Sequence, residues 1–447
     1  MNEVPSPLSL KSSLTARMSA AIMARKVTRP DLEAAALFTL DAVANIVAGR
    51  NSVQGRKLLA WQRAMSGTDN ISIDQARLSF LYGALCHILE VDDLHRASVV
   101  HPGCIVVPAV LAMGRGVGGH EALTAVLRGF EACCRVGMSV GPEHYRIWHN
   151  TATCGPFGSA MAAASLLKLA PNATVSALGN AGSQSAGLWQ FLDTGAETKH
   201  LHAGRGAEAG VVSATLAAQG FTGAPDILEG ERGFYRATCP GPSPDEAVPP
   251  RDAPWQLLMT SIKPWPSCRH THPAIECALA IHQKMPPDVN ILSVSVTAYP
   301  AALNLCDRMQ VDSAYAGKFS LQHCTAAALS TGEVRFESFE AEARQMHSEL
   351  RSRVSVQSAD PFSSAYPVHW GSRVEAHLSD GTVISHEVFD ARGDPELPLS
   401  KADMVEKAMS LLEHGKHPQP DRLVESILAL ADDQLLPDLS GILTDRI

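Results

Sequence analysis

A chain of 447 residues is too long for one ordinary core, and at roughly 150 residues per domain it calls for two or three. With 19% charged and 45% hydrophobic residues it is neither disordered nor a membrane protein, and no apolar run approaches the roughly 20 residues that span a bilayer. Lys+Arg 37 against Asp+Glu 46 leaves a net charge of −9, which argues against nucleic-acid binding.

The N-terminal MNEVPSPLSLKSSL lacks a charged start followed by an apolar stretch, so no secretory signal is expected. The first half then reads helical. Pro30 fits a first helical turn, and Asp31 and Glu33 lie favourably near its N-terminal dipole. Leu37, Leu40, Ala44 and Val47 follow at helical spacing, with Gly49 as the expected stop. The segments Ala122–Val140 and Gly158–Ala170 are apolar nearly all round, which places both helices inside a helical assembly. Low aromatic content and abundant small residues suit close helix packing.

After about residue 240 the texture changes. CPGPSPDEAVPPRDAP reads as a connector. Beyond it Leu292, Val294, Val296 and Ala298 alternate with Ser293, Ser295 and Thr297, the pattern of a half-buried strand. Val374, Ala376 and Leu378 alternate likewise, and Asp380-Gly381 supplies a hairpin turn before Val383. Helices are expected around His272–Lys284 and Phe319–Leu329. Near the C-terminus Ser400 and Asp403 form a capping-box pattern, with Val405, Ala408 and Leu412 as a stripe before Gly415. The expected fold is mainly α with an α+β second domain: helical over 1–255, an α+β lid over 260–399, and returning helices over 400–447.

Four segments concentrate chemistry that core packing does not require. HILEVDDLHRASVVHPGC holds Glu90, Asp92, Asp93, His95 and His101, and carboxylates beside imidazoles suit general acid–base work. A solvated loop with acidic capping is the bland alternative. WHNTATCGPFGSA sets His149 before a helix start, whose N–H groups favour an anion; a simple cap is the alternative. Lys199, His200, His202 and Arg205 cluster in the third, where a ligand carboxylate or phosphate is the natural partner. Ion pairing with Glu197 or Glu208 would account for it equally. The fourth, SIKPWPSCRHTHPAIECALA, carries Lys263, Cys268, Arg269, His270 and His272 on a prolyl-stiffened turn.

Other chemistries lack their residues. None of the ten cysteines forms a C-x-x-C pair, so free thiols in a reducing cytoplasm are expected and an iron–sulfur framework is not. Neither GxGxxG after a strand, nor a Walker loop, nor a GxSxG elbow occurs. His200-x-His202 and His270-x-His272 sit in turn-to-helix contexts, so no metal is expected there.

HNTATCGPFGSA, TKHLHAGRGAEAGV, GFTGAPDILEGERGF and KPWPSCRHTH, in this order, resemble the MmgE/PrpD family over nearly the whole chain. That family includes 2-methylcitrate dehydratase, cis-aconitate decarboxylase and iminodisuccinate epimerase. The resemblance implies a large all-α domain with a smaller α+β lid, in a cytoplasmic homodimer that needs no metal or organic cofactor. Carried over by position, the site takes in Glu90, Asp92 and Asp93 with His101, His149, Lys199 and Lys263, while Cys268 and His272 come from the lid. Where the decarboxylase and epimerase types show D-F-D-D-T/S, this chain reads Glu90-Val91-Asp92-Asp93-Leu94, and Cys268 replaces a histidine of the decarboxylase type.

The expected activity is that of a lyase, a dehydratase of the 2-methylcitrate type, which removes a proton alpha to a carboxylate of a small di- or tricarboxylate. His101 or His149 would move the proton, oriented by the acids, and Lys199 and Lys263 would stabilise the charge. His95, His202 and Arg205 would help bind substrate. An epimerase, a decarboxylase or a non-catalytic carboxylate-binding protein are the alternatives.

Overall fold

The structure, a computed structural model, describes residues 12–66 and 74–443. Most of the N-terminal stretch read for a signal lies outside the described residues. Two compact units form: Met1–Thr260 with Ser400–Ile447, and Ser261–Leu399.

The first unit is helical. Its main helices are α1 (Leu14–Met23), α2 (Arg29–Arg50), α3 (Val53–Ser66), α4 (Gln75–His87), α5 (Gly103–Met113), α6 (Gly119–Ser139), α7 (Asn150–Leu166), α8 (Pro171–Gly182) and α9 (Thr198–Ala218). At the start of α2 the Asp31 carboxylate accepts the Thr28 N–H at 2.8 Å, satisfying a donor that the helix itself leaves open. Gly49 does not end α2, which runs to Arg50. A Cβ there would lie 2.1 Å from the Leu85 carbonyl oxygen, so this glycine allows α2 to press on α4. By length and composition α2 could cross a membrane, but 78% of its apolar window is buried inside the protein, which accounts for its character.

Helix α7 starts at Asn150, well before Gly158, and every residue from Asn150 to Ser165 is buried. It packs between α6 and α9, and α9 also packs on α4. Small residues make this possible. A Cβ on Gly210 would meet Ser159 Oγ at 2.1 Å and Ala160 N at 2.2 Å, so α9 and α7 touch backbone to backbone. The connector is packed rather than loose: Ser243 N–H donates to the Ser139 carbonyl at 2.7 Å.

The second unit holds a four-stranded mixed sheet in the order β2–β1–β3–β4, with β1 (Ile291–Ala298), β2 (Val354–Ser358), β3 (Ser372–Leu378) and β4 (Val383–Val388). β1 runs parallel to β2 and antiparallel to β3, and β3–β4 is the hairpin, with Gly381 at φ 85° in its turn. Leu292, expected inside, is exposed. A register shift between Ile291 and Ser293 resets the alternation, so Ile291 and then Val294, Val296 and Ala298 face the core. Helix α10 (His272–His282) packs on β3, β4 and α11 (Leu321–Thr331).

The chain then returns to the first unit through α12 (Lys401–His414) and α13 (Pro420–Leu428). The Ser400–Asp403 capping box is formed, with reciprocal bonds of 2.9 and 3.2 Å. The buried stripe of α12 is Met404, Ala408, Leu411 and Leu412; Val405 lies one position off it. On its flank Lys407 reaches Asp41 of α2 at 2.5 Å and donates to the Val91 carbonyl at 2.8 Å.

Candidate active site

In the first unit one helix C-terminus and three N-termini converge. α4 ends on His87, His101 precedes α5, His149 caps α7, and Lys199, His200 and His202 lie in the first turns of α9. The His87 ring is 4.6 Å from that of His101, 6.0 Å from His149 and 6.4 Å from His200. All are buried. The aligned N–H groups of three helix starts favour negative charge here.

The acidic loop divides its labour. Asp92 Oδ2 accepts the His87 Nδ1–H at 2.6 Å and lies 3.5 Å from His101 Nδ1. Asp93, expected to be catalytic, instead caps α5: both its oxygens accept the Gly103 N–H at 3.0 Å. Burial, then the neighbouring Asp92 charge, hold the Asp93 carboxyl well above its ordinary pKa. The Asp93 carbonyl accepts His101 Nδ1–H at 2.6 Å, so in the neutral ring Nε2 is the basic nitrogen. Glu90, at φ 61°, carries the longest acid to Lys199, whose Nζ meets Oε1 and Oε2 at 2.5 and 2.7 Å.

His149 does not use its side chain as a helix cap. Its Nδ1 lies 3.2 Å from Nδ1 of His202, and its Nε2 is buried without a hydrogen-bond partner. Burial first, then the nearby His87, Lys199, His202 and His101, push its pKa well below the usual histidine range. Burial lowers His202 to about 4 and His200 to about 3. These three rings are therefore uncharged at neutral pH.

Two expected binding residues are committed elsewhere. His95 is buried, with Nδ1 on Ser98 Oγ at 2.8 Å and Nε2 on Gln256 Oε1 at 2.9 Å, so neither nitrogen faces a ligand. Arg205 points outward and pairs with Glu208, one turn along α9. Conversely, His87 belongs to the cluster though the sequence reading did not single it out, and His200, read there as one of four basic residues, joins it. The available signal was the short step from His87 to Glu90 and Asp92 across a helix end.

In the second unit Lys263 is fully buried, Cys268 is half-buried, and His272 opens α10. Arg269 pairs with Asp394 at 2.5 Å and donates to His272 Nδ1 at 2.8 Å, which leaves the His272 proton on Nε2. His270 Nδ1 meets the Tyr299 hydroxyl at 2.7 Å.

His87, Asp92 and Cys104 place potential metal-ligand atoms within 4.8 Å of one another. The 2.6 Å between His87 Nδ1 and Asp92 Oδ2 is a hydrogen-bond length. Two ligand atoms on one tetrahedral zinc stand roughly 3.3 Å apart. As folded, His87 and Asp92 are spaced for proton sharing, and the Cys104 thiol donates to the His101 carbonyl at 3.2 Å.

A helical unit with an α+β companion and a buried imidazole–carboxylate cluster defines the class. The chain matches the MmgE/PrpD N-terminal domain over residues 15–247 and the MmgE/PrpD C-terminal domain over 265–432, and it belongs to the MmgE/PrpD family. A cis-aconitate decarboxylase-like protein of Aspergillus oryzae is 25% identical over 401 residues, 81% of this chain and 82% of the relative. Cis-aconitate decarboxylase of Aspergillus terreus is 24% identical over 382 residues, 78% of each chain. The human cis-aconitate decarboxylase is 24% identical over 360 residues, 76% of this chain and 73% of its own.

Proposed function

We propose that this chain is a cofactor-independent lyase of the dehydratase type, acting on a small di- or tricarboxylate by removal of a proton alpha to a carboxylate. One observation carries the reading: His149, His200 and His202 are gathered and buried near the Lys199–Glu90 pair, and burial favours their uncharged forms. An uncharged imidazole takes a proton, and an arriving carboxylate raises its affinity for one. His149, with Nε2 unpartnered, is the base, and His101 is its acid–base partner. The Cα–H bond breaks, its proton goes to the imidazole, and the electron pair moves into the carboxylate. The pair then returns to form the carbon–carbon double bond as the bond to the β-hydroxyl breaks, and the hydroxyl leaves as water with a proton from His101.

Lys199, shared between Glu90 and the substrate, stabilises the developing charge. Lys263, Cys268 and His272 of the second unit are proposed as substrate-binding residues on the family resemblance alone. The working form is a cytoplasmic homodimer. Decarboxylation is the second reading, favoured by the relatives named as cis-aconitate decarboxylases; there carbon dioxide leaves first and the imidazole returns a proton.

The test is the wild-type protein in deuterated water with citrate, 2-methylcitrate and cis-aconitate, followed by NMR. Solvent deuterium at the alpha carbon and an olefin formed from a hydroxy acid are expected. Carbon dioxide release from cis-aconitate alone transfers the assignment to the second reading. Neither exchange nor turnover of a carboxylate that calorimetry shows to be bound ends the lyase assignment and leaves a binding protein.

A further inference from the structure

His87 stands at the centre of the cluster yet has no contact with solvent. Its Nδ1 is taken up by Asp92, so its chemistry acts through that neighbour. Among the described residues its Nδ1 faces Asp92 Oδ2 at 2.6 Å, and a carboxylate accepts but does not donate. The same oxygen lies 3.5 Å from His101 Nδ1, whose proton is held by the Asp93 carbonyl at 2.6 Å. Two imidazoles thus lie against one carboxylate, the inner ring hydrogen-bonded to it at 2.6 Å and the less buried ring, His101, 3.5 Å away.

We propose that His87 is a positioning residue for the reaction: its Nδ1–H fixes the Asp92 carboxylate, and that carboxylate in turn sets the orientation and charge of His101. This rests on the lyase reading for its consequences on turnover, but the carboxylate link itself is measurable without substrate. The groups that face the His87–Asp92 pair are Cys86 on its own helix, Asp93 and His101 on the loop, Cys104 on α5, His149 on α7, and Lys199 and His200 on α9.

Isosteres separate this role from others. The amide nitrogen of Asn overlays His Nδ1, whereas that of Gln overlays Nε2, so His87→Asn keeps the donor to Asp92 while His87→Gln and His87→Leu remove it. The pH titration of His101, read by NMR on the ligand-free full chain, is expected to shift in His87→Leu and to stay near wild type in His87→Asn. On a substrate that wild type turns over, His87→Leu and His87→Gln are expected to lose roughly 10- to 100-fold in kcat, less than a direct acid or base supplies, with KM changed under about threefold. His87→Asn should recover most of it.

Asn as impaired as Leu overturns the proposal, because the ring and not its Nδ1–H would then matter. An unmoved His101 titration in both His87→Leu and His87→Gln overturns it also. Where Leu fails to fold, the Asn–Gln pair decides. Absence of turnover in wild type removes the lyase reading but leaves the titration test standing.

Discussion

Lys199 of α9 and Glu90 of the acidic loop, 109 positions apart, form a two-pronged ion pair with Nζ 2.5 Å from Oε1 and 2.7 Å from Oε2. Both side chains are buried, at 9% and 3% exposure, so the ammonium is charge-matched before any substrate arrives. A substrate carboxylate must therefore compete with Glu90. Glu90→Gln removes the competitor and keeps the shape. The expected result is a KM for polycarboxylates several-fold lower, checked by steady-state kinetics and calorimetry; a raised KM would mean that Glu90 itself holds substrate. Lys199→Met instead removes the ammonium that pairs with the buried Glu90 carboxylate, at a cost of about 3–5 kcal/mol in stability. Loss of activity in that variant is interpretable only beside Lys199→Met with Glu90→Gln.

The acidic loop is anchored from behind by Lys407, which joins Asp41 at 2.5 Å and the Val91 carbonyl at 2.8 Å. Lys407→Met removes the ammonium that pairs with the buried Asp41 carboxylate. Chemical denaturation should show a loss of about 3 kcal/mol or more, and Asp41→Asn added to it should restore part of that. Because the Val91 carbonyl also loses its donor, the double variant should recover stability further than it recovers activity. Equal recovery of both would show that Lys407 has no part in holding the loop.

Arg269 has the corresponding role in the second unit. It meets Asp394 at 2.5 Å, the Ala391 carbonyl at 3.1 Å and His272 Nδ1 at 2.8 Å. Lysine keeps the charge but not the planar fork that serves these acceptors together. Arg269→Lys should therefore cost about 2–3 kcal/mol, in line with lost charged hydrogen bonds. It should also free His272 to exchange tautomers, which nitrogen-15 NMR of the imidazole reads. An unchanged His272 spectrum would show that its tautomer is set elsewhere.

The helical first unit and the α+β second were legible because periodicity and caps are local. The Pro30–Asp31 start of α2, the Ser400–Asp403 bonds, the Asp380-Gly381 turn and the apolar α6 and α7 each depend on residues a few positions apart. Gly49 and Leu292 were misread because their reasons are long-range: one yields to the Leu85 carbonyl, the other to a shift against β3. Residue types also did not disclose direction. His95 turned inward to Ser98 and Gln256, Arg205 turned outward to Glu208, and Asp93 went to a helix cap while Asp92, its neighbour, took the imidazoles. His87 closes an otherwise apolar helix, and only the turn after it brings Asp92 back within reach.

Buried uncharged imidazoles fix the sign of the pH dependence of folding. Burial lowers His95, His202 and His323 to about 4, and His200 and His270 to about 3, from an ordinary 6.5. Between those values the unfolded chain binds protons that the native chain refuses, so stability is fully present above pH 6.5 and is lost as pH falls toward 4. His95 alone accounts for about 3 kcal/mol across that window. Asp93 works the other way: its raised pKa gives stability present at low pH and lost as pH rises through the folded value, but it is one group against these five rings and the likewise lowered His149. Melting temperature should therefore drop steadily from pH 6.5 to 4.5, and His95→Gln, which removes one titrating ring, should flatten the slope. A melting temperature constant over that range would show that these rings accept protons without unfolding, and that the cluster is wetter than its burial implies.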